Sequence, residues 1–254
     1  MSEGGPELTL RGTVASRGLA LGPIALLGPA GAARRAAGRP AEEEAALRAA
    51  FARAAEELAA VIEASDAMAG EILSFQLALI EDDDLLAPVF AAVAAGTPAE
   101  RAWQTVMDRE IADYAAGEDE YFRARAADLT DLRDRVLTAL SGGETPPEAL
   151  AEGAILAAED LTPSRFLETD WRRFGGAALK AGSAASHVAM LARARGVPLL
   201  IGLGSDFARL RSGAAAALDA EQGLLLLHPA AASRAAFDRR LDQAAARREV
   251  EAQF

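Results

Sequence analysis

The sequence predicts an α/β domain interrupted by an all-α helical bundle and followed by a terminal helix. Three observations carry this: apolar alternation near period two over residues 8–27, a helical period from Ala41 to Ser141, and a return to short apolar strands after Pro146-Pro147. The strands at the two ends have no core unless they pair, so the bundle reads as an insertion into one sheet domain.

Leu8–Val14 and Leu19–Leu27 read as a pair of short strands punctuated by Gly18 and Gly22. Residues 28–40, rich in Gly, Pro, Ala and Arg, read as a linker. Leu47, Phe51, Leu58 and Ile62 then fall four, seven and four apart, on one face of a helix. Met68, Ile72, Phe75 and Leu79 repeat that stripe, and Leu85, Val89 and Val93 continue it to Gly96. Thr97-Pro98-Ala99-Glu100 predicts a helix start with Thr97 as N-cap, Pro98 in the first turn and Glu100 closing a capping box. Trp103, Val106, Met107, Ile111 and Tyr114 mark its buried face. Tyr121, Leu129, Leu132, Val136 and Leu140 mark the next helix, which Ser141-Gly142-Gly143 ends.

Gly153–Ala158, Gly176–Leu179, Leu199–Ile201, Ala214–Leu218 and Leu224–Leu227 read as buried strands. Thr162-Pro163-Ser164 opens a brief helix, a helix over 187–195 stops at Gly196, and 230–252 forms the charged terminal helix. The expected partition is residues 1–30 with 146–229 for the α/β domain, 31–145 for the bundle and 230–254 for a linker helix.

The 254 residues hold 26 Lys+Arg against 38 Asp+Glu, a net charge of −12. That balance argues against nucleic acid and favours a basic partner. With no cysteine there are no disulfides, thiolate metal sites or Cys nucleophile in this chain. No apolar run approaches the ~20 residues of a membrane span, and Met1-Ser2-Glu3-Gly4 does not resemble a signal peptide. The expectation is a cytoplasmic protein with no membrane insertion.

Two histidines invite chemistry. His187 stands where the small-residue loop Gly182-Ser183-Ala184-Ala185-Ser186 meets a helix. A helix N-terminus favours a phosphate, through its N–H groups and its dipole. An imidazole, with an ordinary pKa of about 6.5, offers a neutral nucleophile near pH 7. The N–H groups around Ser186–Ala189 are the expected donors. Spacing alone fits a capping or surface histidine at least as well. Arg193 lies on nearly the opposite face of that helix, which suggests a C-terminal dipole partner or a contact to another domain rather than a phosphate ligand. His228, at the end of Leu224–Leu227, reads as a strand-end residue. Glu81-Asp82-Asp83-Asp84 reads as a solvated helix start or a docking site, since it lacks the spacing of a calcium loop. There is no P-loop, G-x-G-x-x-G or G-x-S-x-G.

Ser186-His187 followed by Ala192-Arg193, Pro198 and Gly202 resembles the phosphohistidine segment of enzyme I of the bacterial phosphoenolpyruvate-dependent sugar phosphotransferase system. Gly12–Gly22 is similar to that family's opening strands, and Leu79–Leu85 to its acidic loop. Asp119-Glu120-Tyr121 with Arg125–Asp128, and Asp160-Leu161-Thr162-Pro163-Ser164, resemble further signatures. The likeness covers nearly the whole chain, with two departures. Ser183 and Ala185 replace a glycine and a threonine of the family loop, and Lys180 stands where an acidic residue is common.

The resemblance implies a swivelling phosphohistidine α/β domain interrupted by a helical domain that binds the phosphocarrier HPr. It further implies that His187, through Nε2, takes a phosphoryl group from phosphoenolpyruvate and passes it to a histidine of HPr. Gly182, Ser183 and Ser186 would form the phosphate loop. Ile72, Phe75 and Leu79 would centre the HPr contact, with Asp82, Asp83 and Arg125 at its rim. No cofactor is expected in this chain; the phosphoenolpyruvate site and its Mg²⁺ are expected on a separate C-terminal barrel. Three alternatives stay open: the enzyme I-like segment of a dihydroxyacetone kinase phosphotransfer subunit, a pyruvate phosphate dikinase-type swivelling domain, and a non-catalytic HPr-binding module.

Overall fold

A computed structural model describes residues 6–27, 38–117, 120–142 and 152–251. Most of the linker expected at 28–40 and the Pro146-Pro147 junction lie outside the described residues, as does the Tyr121 side chain. The chain divides into two units: 1–29, 147–161 and 170–254 form one, and 30–146 with 162–169 the other.

In the first unit, β1 (Leu8–Arg11), β2 (Thr13–Ser16), β3 (Leu19–Leu26), β4 (Ala154–Ala158), β5 (Phe174–Leu179), β6 (Leu199–Ile201), β7 (Ala215–Asp219) and β8 (Leu224–Leu227) make one sheet. Its order is β1-β8-β7-β3-β4-β5-β6-β2. β3, β4, β5 and β6 run parallel and the remaining pairs antiparallel. β4 is buried along its whole length, which accounts for its unbroken apolar sequence.

The first expected strand is in fact two. β1 pairs with β8 and β2 with β6, at opposite ends of the sheet order, with Gly12 alone between them. A Cβ on Gly12 would lie 2.7 Å from the Ile201 carbonyl, so only glycine permits this step between partners. The enclosed core is built from Leu10, Ile24, Ile155, Leu200, Leu218 and Leu225, with Ala157, Ala178 and Ala216 allowing close approach.

α7 (His187–Arg195) ends at Gly196 in the left-handed conformation, φ 64°. A 3₁₀ turn over Gly204–Arg209 was not anticipated. α8 (Ala231–Glu251) is docked rather than free at its start. Phe237 packs with Leu19 and Ala217, and Arg240 pairs with Asp219 at the end of β7 and with Glu221 in the turn that follows.

The second unit contains α1 (Pro40–Glu63), α2 (Ala67–Ile80), α3 (Asp83–Ala94), α4 (Ala99–Ala115), α5 (Glu120–Leu140) and α6 (Pro163–Glu168). Its core joins Leu47, Phe51, Leu58, Leu73, Trp103, Met107, Leu132 and Val136. Phe51 meets the Trp103 ring edge-on, centroids 5.1 Å apart. Asp66 caps α2 by accepting from Ala69 N–H, and Asp82 caps α3 by accepting from Asp84 N–H.

Two expectations change here. α4 starts at Ala99 with Pro98 as N-cap and no side-chain cap of its own, so Thr97 does not fill that role. The buried Glu43 of α1 caps it instead, its carboxylate accepting from Ala99 N–H at 2.8 Å. Residues 162–169 group with the helices although their sequence neighbours on both sides belong to the sheet. The cause is local: Asp131 of α5 accepts from Ser164 twice, and Leu167 packs on the helical core.

Candidate functional site

β5 leads the chain into the segment that carries His187. Past Leu179 the backbone is held on both sides. Lys180 and Ala181 N–H donate to the carbonyls of Ala158 and Glu159, each at 3.0 Å, and Gly204 and Gly202 N–H donate back to Lys180 and Ala181. Gly182 then turns at φ 106°, where a side chain would be strained.

Ser183 closes the loop twice, its Oγ accepting from Ala185 N–H at 3.2 Å and its carbonyl from Ser186 N–H at 3.1 Å. Ser186 is the N-cap of α7: its Oγ accepts from Ala189 N–H at 3.2 Å and its carbonyl from Met190 N–H at 3.1 Å. His187 is the first helical residue and is half-buried. The expected donor set around Ser186–Ala189 is therefore narrower than the sequence suggested. Ser186 and Ala189 N–H are already engaged in shaping the loop and cap. Both serine hydroxyls act as acceptors here and keep their own hydrogens to donate. The dipole end of α7 still lies at His187.

Around this segment, Lys180 pairs with Glu159 at 2.5 Å, both side chains well exposed, a contact that contributes little to stability. Asp160 remains exposed as a residue, yet desolvation of its carboxyl raises its pKa, partly offset by the Leu161 N–H it accepts. Arg193 sits in the last turn of α7, as a dipole partner would, but its guanidinium is engaged away from that end. Its Nη1 donates to the carbonyls of Ala15 on β2 (2.9 Å) and Ala184 in the loop (3.1 Å). Helical side chains lean toward the N-terminus, so in a nine-residue helix a last-turn arginine can reach the loop before it. His228 ends β8, four places from β5 in the sheet order, with φ 49° and its N–H donating to Ala215 carbonyl.

In the helical unit, the six expected contact residues separate into different environments. Ile72 is only 5% exposed, so its side chain is turned away from the surface. Phe75 and Leu79 are half-buried at the core margin. Arg125 stacks its guanidinium 4.4 Å from the Phe75 ring and pairs with the buried Asp128 at 3.1 Å. Asp82 and Asp83 are exposed at the start of α3.

Met68, read in sequence as part of the buried stripe, is 47% exposed, as is Phe122. α2 buries Ala69, Ile72, Leu73, Gln76 and Ile80 instead, because apolar residues surround it on most sides and the period does not select a face. Met68 lies seven residues before Phe75 and Phe122 three before Arg125, spacings that put each pair on one helix face. The Phe75–Arg125 stack thus joins two apolar edges that sequence reasoning had not assembled.

Charge divides sharply. The helical unit holds 24 acidic and 12 basic residues, a net −12, whereas the α/β unit holds 14 of each. No Lys or Arg occurs between Arg53 and Arg101, a stretch with ten acidic residues. Among the described residues no His, Asp and Glu side chains group as a metal site, and no helix is long and apolar enough to cross a membrane.

Comparison with known proteins gives two family matches: "PEP-utilising enzyme, N-terminal" over residues 11–125 and "PEP-utilising enzyme, mobile domain" over 150–223. A phosphoenolpyruvate-protein phosphotransferase of Streptomyces coelicolor is 34% identical over 237 residues, 90% of this chain and 42% of that protein. Multiphosphoryl transfer protein 1 of Escherichia coli K12 is 32% identical over 88% of this chain and 27% of its own length. The chain thus spans less than half the length of these relatives. A solution structure of an Enzyme I protein superposes with TM-score 0.69 at 25% identity, covering 92% of this chain and 98% of the other. An N-terminal domain of a nitrogen Enzyme 1 does so with TM-score 0.61 at 26% identity, covering 92% and 99%.

Proposed function

The chain belongs to the family of PEP-utilising enzymes, whose N-terminal and mobile domains it carries, and from that premise we propose that it transfers phosphoryl groups through His187 in a phosphotransferase system. The observation that supports this most is the seat of His187. It is half-buried, first in a helix capped by Ser186, and fed by a strand whose exit is pinned from two neighbours.

The proposed step is symmetrical. The lone pair of His187 Nε2 attacks phosphorus on a phosphohistidine of HPr; one P–N bond forms as the other breaks, and the donor imidazole leaves. No net proton is needed, so alignment and charge stabilisation supply the catalysis. The α7 dipole and the hydroxyls of Ser183 and Ser186 favour the moving charge. Phosphoenolpyruvate, as the original donor, and its Mg²⁺ are proposed to bind on the separate barrel that the family resemblance implies.

HPr is the proposed partner of the helical unit, and the concentration of negative charge there supports a basic partner. The contact would centre on Phe75 and Leu79 with Met68 and Phe122 beside them, and with Asp82, Asp83 and Arg125 at its rim.

Intact mass of the 254-residue chain mixed with phospho-HPr tests the reading. A reversible gain of roughly 80 Da, acid-labile and base-stable, is expected. It should vanish in His187→Ala and persist in His228→Ala. Labelling that survives in His187→Ala overturns the assignment, and binding without labelling favours a non-catalytic HPr-binding module.

A further inference from the structure

We propose that Arg193 is a positioning residue that sets the shape of the loop from which His187 is presented; the inference rests on the reading of His187 as the phosphoryl carrier. Three observations carry it. The guanidinium spans two carbonyls far apart in sequence, Ala15 on β2 and Ala184 in the loop, at 2.9 and 3.1 Å. The peptide it grips is also held at its other end, because Ala185 N–H donates to Ser183 Oγ. The next amide, Ser186 N–H, returns to the Ser183 carbonyl and delivers the residue that caps α7.

Arg193 therefore holds one plane of a turn whose following residues fix the first turn of the helix and the backbone of His187. Ala184 and Ala185 bring no polar side chain to that plane, so it is held by Ser183 Oγ on its N–H side and by Arg193 on its carbonyl side. A charged donor on a carbonyl is among the stronger hydrogen bonds, and one nitrogen serving two carbonyls ties the loop to the sheet. Arg193 acts at one remove: it orders the loop, and the loop places the imidazole and the cap.

The test uses the full chain with Arg193→Met, which keeps the aliphatic stem and removes every donor, and Arg193→Lys, which restores a charged donor. Amide hydrogen exchange in Arg193→Met should quicken about ten-fold or more at Ala185 and Ser186 and stay unchanged in the helical unit. Transfer from phospho-HPr should slow about ten-fold with HPr affinity unaltered, and Arg193→Lys should recover most of both losses. Wild-type exchange at Ala185 and Ser186 in Arg193→Met overturns the proposal. So does an Arg193→Lys variant no better than Arg193→Met. If the wild-type chain accepts no phosphoryl group, the reading of His187 fails while the exchange measurement still decides what Arg193 does.

Discussion

Asp131 holds Ser164 by two hydrogen bonds, accepting the backbone N–H at 2.9 Å and the hydroxyl at 2.6 Å, across 33 residues of sequence. The same carboxylate accepts from Gln76 Nε2 at 3.0 Å, so one buried anion ties α2, α5 and α6 together. Truncating it leaves three buried donors without their acceptor. Asp131→Ala should cost about 3 kcal/mol or more, and Ser164→Ala about 1.5–3 kcal/mol, by urea unfolding of the full chain. Equal, small losses in both would show that the carboxylate is not the hub.

Excising the helical unit should require a third cut, because 162–169 groups with it. Removing 31–145 with a short linker deletes the partners of Ser164 and Leu167 but leaves α6 in the chain. The remainder should associate and show poor near-UV ellipticity. Replacing 162–169 by a turn in the same variant should give a monomeric, folded α/β unit. A folded monomer from the first variant would mean that α6 does not need the helical core.

Docking should divide between anchor and rim. Phe75→Ala should weaken HPr binding by more than about 1 kcal/mol, while Asp83→Asn should mainly flatten its salt dependence. Ile72→Ala should instead lower stability by about 2–4 kcal/mol, because its side chain is buried. Calorimetric titration at two salt concentrations, beside thermal melts, separates the three. Unchanged binding for both Phe75→Ala and Asp83→Asn would move the interface elsewhere.

Gly12→Ala places a methyl group 2.7 Å from the Ile201 carbonyl and beside Leu200, with backbone on one side that cannot yield cheaply. A loss of about 2 kcal/mol or more is expected, confined to the α/β unit in hydrogen exchange. A wild-type melt for Gly12→Ala would show that β1 and β2 can shift to make room.

Legibility in the sequence followed the range of the interactions. Helix α7 and strands β6 and β8 match their sequence limits because local signals, Gly196 and short apolar runs, decide them. The cap of α4 was misread because the acceptor is Glu43, 56 residues away, and a nearby threonine mimics a cap. The exposure of Met68 was hidden by an α2 that is apolar on most sides. At the site, the position of His187 at a helix start was legible from the residues around it. The reach of Arg193 was not, because helix periodicity reports Cβ direction and says nothing of a long side chain folded back along its own helix.

The two short strands flanking Gly12 also set a timetable. As the ribosome releases the chain, β1 and β2 emerge ahead of the helices, yet β6 and β8, their pairing partners, lie about 190 to 220 residues later. At roughly 5–20 residues per second that delay is on the order of ten to forty seconds. During it the inserted helices, whose contacts are mostly between near neighbours, have everything they need to fold. The sheet closes only after its last hairpin is made, so the segment bearing His187 is completed after the inserted helices have formed.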